Sequence, residues 1–264
     1  MNVGLIIIGD EILSGKRRDS HLAKFIELLS ERGMQLAWAQ YLGDDRELLT
    51  ARLRECFASG DLIVSCGGIG ATPDDHTRQS AAAALGRPLA LHPEARELIW
   101  QRIQQMAAEQ GKTITPDEPD SLRRFEMGAF PEGAGIIPNP FNKIPGFFVG
   151  NVHFVPGFPV MAHPMMAWVL DRFPHLHRER GIVERSLIVQ GAMEASLTPL
   201  MEAVEAEFAG IKVFSLPSVD HPQYGRHIEL GVKGEPQQVL AAYADLQLGL
   251  KAFDLQLGPE LVRS

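Results

Sequence analysis

The sequence predicts an α/β fold, and three observations carry the prediction. Apolar strand-like runs alternate with helix-periodic runs over the first 85 residues. A glycine-rich turn at residues 65–77 joins a buried strand to a helix. From residue 176 a shorter unit follows, ordered strand, helix, strand, strand, helix, which reads as a second, smaller α+β domain. Alternating strands and helices build a parallel sheet covered by helices. The expected division is therefore residues 1–175 and 176–264.

Residues 3–8 are nearly all apolar, as suits a strand buried on both faces. After Asp19, residues Leu22, Phe25, Ile26 and Leu29 recur at helical spacing. Asp19 suits an N-cap and Gly33 a C-terminal stop. Residues 34–42 read as a second strand, 46–57 as a helix, 61–66 as a third strand and 78–85 as a helix. A long helix is expected over 93–110. Residues 146–149 and 152–155 flank the Gly150-Asn151 turn signal as two short strands. Residues 160–173 read as a helix, and the polar stretch 174–181 as the boundary. Beyond it come a strand (184–190), a helix (196–208), two strands (211–216 and 227–232) and a helix (236–253).

The chain has 264 residues, 45% of them hydrophobic, enough for a substantial core. Its 25 Lys and Arg against 33 Asp and Glu give a net charge of −8, which argues against a nucleic-acid or acidic-membrane surface. The second unit alone carries 8 basic and 12 acidic residues, so its charge is −4. Its element order invites comparison with RNA-binding KH modules, but its charge is acidic; it reads as a packing or dimerisation domain. Cys56 and Cys66 form no CxxC pair, and no basic leader or long apolar run is present. A cytoplasmic protein is the simplest expectation.

The turn at 65–77 holds Gly67, Gly68, Gly70, Thr72, Asp74, Asp75 and Thr77. Glycines at a strand-to-helix turn let backbone N–H groups approach an anion, and the helix N-terminus adds positive partial charge. Adjacent carboxylates would repel a bare phosphate, so they imply a bridging cation. A tight structural turn is the plain alternative. A dinucleotide fingerprint fails, because Pro73 stands where the third glycine belongs. A P-loop fails at Gly9 to Arg17, where five residues separate the glycines and Arg17 replaces Ser or Thr. Asp10 divides evenly between cleft and solvated-loop readings, whereas Glu11, Asp44 and Asp45 read first as solvation and capping.

These motifs resemble a known family. Gly9-Asp-Glu-Ile-Leu-Ser-Gly15, Asp19, Gly43-Asp-Asp45, residues 67–77 and Phe130-Pro-Glu-Gly133 are similar to the molybdopterin-binding (MoCF) domain. Asn139-Pro140, Pro145-Gly-Phe147 and Pro156-Gly-Phe-Pro159 narrow the resemblance to the competence/damage-inducible protein A (CinA) branch, in a short form without the C-terminal amidase domain. The resemblance covers residues 1–173 well. It implies a three-layer, mostly parallel sheet, a homo-oligomer (dimer or trimer), and a phosphorylated pterin or nucleotide as ligand.

It implies one of three activities: a divalent-metal-dependent pyrophosphatase acting on ADP-ribose-like nucleotides, a ligand-binding protein without catalysis, or a molybdopterin adenylyltransferase. On that basis Gly67, Gly68, Gly70, Thr72 and Thr77 would cradle phosphate. Asn139, Lys143, Pro145 and Gly146 would line the ligand pocket. Asp75, Asp74 and Asp10 would hold the metal (Mg²⁺, Mn²⁺ or Co²⁺), with Asp75, Asp10 and Asp19 as catalytic carboxylates. The chain departs from the family pattern at Ala71 (usually Pro), His21 (usually Asn), Asn142-Lys143-Ile144 (usually Gly-Thr-Ala) and Met161 (usually Glu). A thioether cannot replace a carboxylate as base or hard-metal ligand.

Overall fold

The computed structural model describes residues 1–177 and 182–263. The chain divides into two compact units: Met1–Glu31 with Gln35–Leu176, and Arg32–Met34 with His177–Ser264. Part of the predicted boundary, residues 178–181, lies outside the described residues.

The first unit begins with strand β1 (Val3–Ile8), a single helical turn α1 (Asp10–Leu13) and helix α2 (His21–Ser30). It continues with β2 (Trp38–Leu42), α3 (Arg46–Ser59), β3 (Leu62–Cys66) and α4 (Thr77–Leu85). Then come β4 (Leu89–Leu91), α5 (Pro93–Glu109), α6 (Pro119–Phe125), β5 (Ala129–Pro131), β6 (Gly135–Ile137), β7 (Gly146–Val149), β8 (Val152–Val155) and α7 (Pro159–Asp171). Six strands form one sheet in the order β2-β1-β3-β8-β7-β6. The first four are parallel; β7 and β6 add an antiparallel edge. The sheet is thus mostly parallel, as expected, and the Gly150 turn reverses the chain between β7 and β8 where the Gly150-Asn151 signal predicts a hairpin.

All six residues of β1 are buried. Ile6 and Ile8 pack with Leu49 and Leu53 of α3, while Leu5 and Ile7, pointing the other way, are also buried. Helices α3 and α4 pack together, as do α2 and α7. Helix α3 is fixed at its start by Asp45, whose carboxylate accepts from the Leu48 N–H at 2.7 Å, the capping role the sequence suggested. Phe147 of β7 stacks between Phe130 and Phe154, with centroids 4.7 and 4.4 Å away. Such ring pairs add about 0.5–1.5 kcal/mol each beyond their burial, and they anchor the strand that carries one wall of the site. A satellite core of Ile99, Ile103 and Phe125 joins α5 to α6, with Met127 and Ile144 packed on it.

The second unit holds β9 (Val183–Gln190), α8 (Glu194–Glu207), β10 (Lys212–His221), β11 (Gly225–Gly234), α9 (Pro236–Leu250) and β12 (Gln256–Arg263). Its antiparallel sheet runs β10-β11-β9-β12. Leu187, Leu230 and Val232 of the sheet meet Leu197 and Val204 of α8 and Leu246 of α9. The sequence reading stopped at α9. Strand β12 adds a fourth strand, pairing with β9 across an irregularity between Leu257 and Glu260. Gly258 and Pro259 interrupt its alternation, so the period-2 signal is faint.

Candidate functional site

A cleft of about 380 Å³ opens beyond the C-terminal ends of β1 and β3 in the first unit. Parallel sheets place ligands at these strand ends. One wall is the turn at 67–75, and the other is built from Ile144, Pro145, Phe158 and Met161.

The turn is shaped by its glycines and braced from behind. Gly67 and Gly68 have φ of +106° and +67°. A Cβ on Gly67 would lie 2.3 Å from the Ile8 carbonyl oxygen, and one on Gly68 would lie 2.2 Å from Thr77 Oγ1. Only glycine meets both demands. Thr77 does not face the cleft. It is buried, its hydroxyl donates to the Gly67 carbonyl at 3.0 Å and its N–H to the Gly68 carbonyl at 3.0 Å. Its role is to close the turn onto α4, which corrects the expectation of phosphate contact. Asp75 closes the loop locally: its Oδ2 accepts from the Thr72 N–H at 2.9 Å and the Thr72 hydroxyl at 2.5 Å.

Arg78 is a residue the sequence reading passed over. Only 4% exposed, it donates through Nη2 to the Gly70 carbonyl at 2.6 Å and through Nη1 to the carbonyls of Glu126 and Ala129. Burial lowers its pKa, while the Asp75 and Glu126 charges oppose that effect. It ties the turn to the segment before β5. A lone arginine at the start of an alanine-rich helix was the available signal.

The predicted carboxylates separate in space. Asp74 and Asp75 line the cleft, and so do Glu11 and Asp44, which the sequence reading had assigned to solvation. Asp10 does not line it. Its Oδ1 accepts from the Asp44 N–H at 3.2 Å, while Asp44 Oδ2 accepts from the Asp10 N–H at 3.0 Å, so the two loops lock reciprocally. Asp19 is also outside the lining; it caps α2, accepting from the N–H groups of His21 and Leu22 at 2.8 and 3.1 Å and from the Tyr41 hydroxyl at 2.9 Å. Burial raises the Asp44 pKa; the Asp10 N–H opposes this, and the like charges of Asp10, Glu11 and Asp74 push it further up.

Across the cleft, Pro145 lines the pocket but Asn139, Lys143 and Gly146 do not. Asn139 is buried in its own loop. Its Nδ2 donates to Asn142 Oδ1 at 2.8 Å and to the Ile144 carbonyl at 2.9 Å, and its Oδ1 accepts from the Phe141 N–H. Lys143 has φ +66° and its Nζ donates to Gln101 of α5 at 3.3 Å. Gly146 is tight against the Phe154 carbonyl, where a Cβ would sit 2.3 Å away. Beside Pro145 and Phe158, the side chains that line the cleft from this wall include Asn142, Ile144 and Met161, with Asn142 Nδ2 3.2 Å from the Met161 sulfur. His21 is buried and within 3.1 Å of the Gly157 carbonyl, so it supports the loop that Phe158 projects from.

Among the described residues no three metal-ligating side chains converge on one point. Mg²⁺ is commonly held by one or two carboxylates plus substrate phosphates and water. The crowded Asp44 and Asp74, with Asp75 adjacent, fit that open arrangement. Cys66 is buried, which pushes its thiol pKa well up and keeps it protonated. Among the described residues no helix is long and apolar enough to cross a membrane.

A mostly parallel sheet, a glycine turn at a central strand end and a mainly apolar cleft with four carboxylates define an α/β domain with its cleft at the strand ends. Residues 4–177 match the family described as "Probable molybdopterin binding domain", and the chain belongs to that family. Its relatives include a "CinA-like protein" of Anaeromyxobacter dehalogenans, 31% identical over 80% of this chain and 51% of that protein. A protein of Pyrococcus abyssi is 27% identical over 91% of this chain and 93% of its own length. A crystal structure described as the protein CinA with unknown function, from Thermoplasma acidophilum, is 26% identical, covers 65% of this chain and 98% of that one, and superposes with a TM-score of 0.55. The chain spans about half the length of the CinA-like relative from Anaeromyxobacter.

Proposed function

We propose that the first unit binds a phosphorylated pterin or nucleotide and, with a divalent cation, hydrolyses a nucleotide pyrophosphate such as ADP-ribose. One observation carries this reading: a single cleft joins a glycine turn, with backbone donors suited to phosphate, to an apolar wall of Ile144, Pro145, Phe158 and Met161 suited to a flat ring. Asp74 and Asp75, with Asp44 beside them, would hold the cation, whose charge offsets that of the phosphate oxygens when bound. Water would add to one phosphorus as the bridging P–O bond breaks, giving AMP and ribose 5-phosphate. The turn's N–H groups would take up charge developing on the phosphoryl oxygens.

A second reading, binding without turnover, is favoured by Met161. It places a thioether opposite the turn, where it can serve neither as base nor as hard-metal ligand. Incubation with Mg²⁺, Mn²⁺ or Co²⁺ and ADP-ribose, FAD, NAD or ATP, with released mononucleotide measured, separates the two. Hydrolysis is expected for ADP-ribose and lost in Asp75→Asn, whose amide oxygen, rotated into the place of Oδ2, can still accept from Thr72. No turnover on any substrate with retained binding selects the second reading; unchanged turnover in Asp75→Asn removes the assigned role of Asp75. Pyrophosphate released from ATP only when a pterin phosphate is added would instead identify an adenylyltransferase.

A further inference from the structure

Four carboxylates line the cleft, Glu11, Asp44, Asp74 and Asp75, and among the described residues a single cation, Arg17. A phosphorylated ligand entering this field meets net negative charge. Arg17 is the side chain there able to oppose it, and its surroundings leave it free to do so. Its Nη1 lies 3.6 Å from Glu11 Oε1, beyond hydrogen-bond distance, with the two side chains 52% and 43% exposed. Exposed pairs of this kind are weak. Its guanidinium also stands over the Phe158 ring at 5.7 Å, and Phe158 is itself more than half exposed. Arg17 is placed by its backbone instead: its N–H donates to the Glu11 carbonyl at 2.9 Å.

The position is contiguous with the turn. A Cβ on Gly157 would rest 3.4 Å from the Gly67 Cα, so Gly157 abuts Gly67, and Phe158 with Arg17 follows directly. A guanidinium offers five donors in a planar fork that matches phosphate, and it stacks on aromatic faces. Glu11 and Phe158 resemble a resting place for such a group, adequate to hold it near the cleft and too weak to compete with a phosphate.

We propose that Arg17 is the phosphate-reading side chain of this cleft, held beside Glu11 and Phe158 until an anionic ligand draws it across to the turn. The proposal rests on the phosphate-binding reading above and adds the residue that selects for ligand charge. Glu11 is its placeholder counter-ion, so removing that charge releases Arg17 toward the ligand.

The test is calorimetric titration of the full chain with ADP and with adenosine, in Mg²⁺ and in EDTA. Arg17→Ala is expected to weaken ADP binding at least tenfold and to change adenosine binding less than twofold, with Arg17→Lys intermediate. In EDTA, where any metal role of Glu11 is removed, Glu11→Gln is expected to tighten ADP binding severalfold. Melting temperatures within a degree or two of the parent chain show that the variants fold. ADP affinity within twofold of the parent in both Arg17 variants overturns the role of Arg17 and leaves the phosphate-binding reading standing. Equal loss for ADP and adenosine also overturns it, by showing a packing role. Failure of the parent chain to bind ADP in either buffer removes the phosphate-binding reading and this inference with it.

Discussion

The two walls of the cleft handle their polar groups in opposite ways. In the turn, Gly67 and Gly68 have no side chains to place, and the bracing comes from behind, through Thr77 and Arg78. The Gly67 N–H is taken by the Val155 carbonyl at 3.0 Å and the Thr72 N–H by Asp75 Oδ2 at 2.9 Å. In the loop between β6 and β7, Asn139 and Lys143 use their side chains on the scaffold itself, and what lines the cleft is Asn142, Ile144 and Pro145, joined by Met161 of α7. A polar residue beside a cleft is therefore no guide to ligand contact until its hydrogen bonds have been assigned. The turn is shaped by backbone, and the loop lines the cleft with Ile144 and Pro145 beside Asn142.

The sharpest way to break this comparison is Gly67→Ala. At φ +106° and with the Ile8 carbonyl 2.3 Å from the new methyl, the turn must move. The expected cost is about 4 kcal/mol, read as a lower denaturation midpoint, with ligand binding lost. A variant of parental stability would show that the turn is plastic. Asn139→Ala tests the other wall. Three hydrogen bonds are lost and the Ile144 carbonyl is left without its donor, so the expected destabilisation is about 2 kcal/mol. Affinity for ADP should then fall only modestly at temperatures where the variant is folded; a loss as large as that of Arg17→Ala would make Asn139 a ligand contact after all. The smallest effect belongs to Lys143→Gly. It relieves a left-handed residue with a Cβ and gives up one long, half-buried bond to Gln101. A gain of about 0.5 kcal/mol, roughly 1–2 °C in Tm, is expected, and a loss would show that the α5 contact outweighs the strain.

Much of the first unit was legible because its signals are local. Strands β1 and β3 are unbroken apolar runs, α2 shows its stripe, and the glycine turn lies between a strand and a helix whatever the rest does. The second strand was read four residues too long, because residues 34–37 continue the pattern without pairing in the sheet. The β7–β8 hairpin was signalled by Gly150-Asn151, whereas β6 and β12 depend on which strands meet, which no single segment states. The same holds at the site. Asp10 and Glu11 are neighbours in sequence, yet Asp10 locks to Asp44 while Glu11 turns to the cleft. Arg17 and Arg78 were invisible as site residues because their partners, Phe158 for one and Glu126 for the other, are 141 and 48 residues away.

The sequence by itself determined the α/β alternation, the position of the turn at 67–77 and membership in the molybdopterin-binding family. The first two follow from local apolar periodicity and from glycines that permit backbone shapes other residues resist; membership rests on the likeness of the motifs to that family. Only the tertiary structure decided which carboxylates share the cleft, that Asn139, Lys143, Asp10 and Asp19 make their bonds within the scaffold, and that Arg17 is the one cation among the described residues that lines it. The physical reason is that a polar side chain satisfies whichever partner packing brings within 3 Å, and packing joins segments that the sequence keeps far apart.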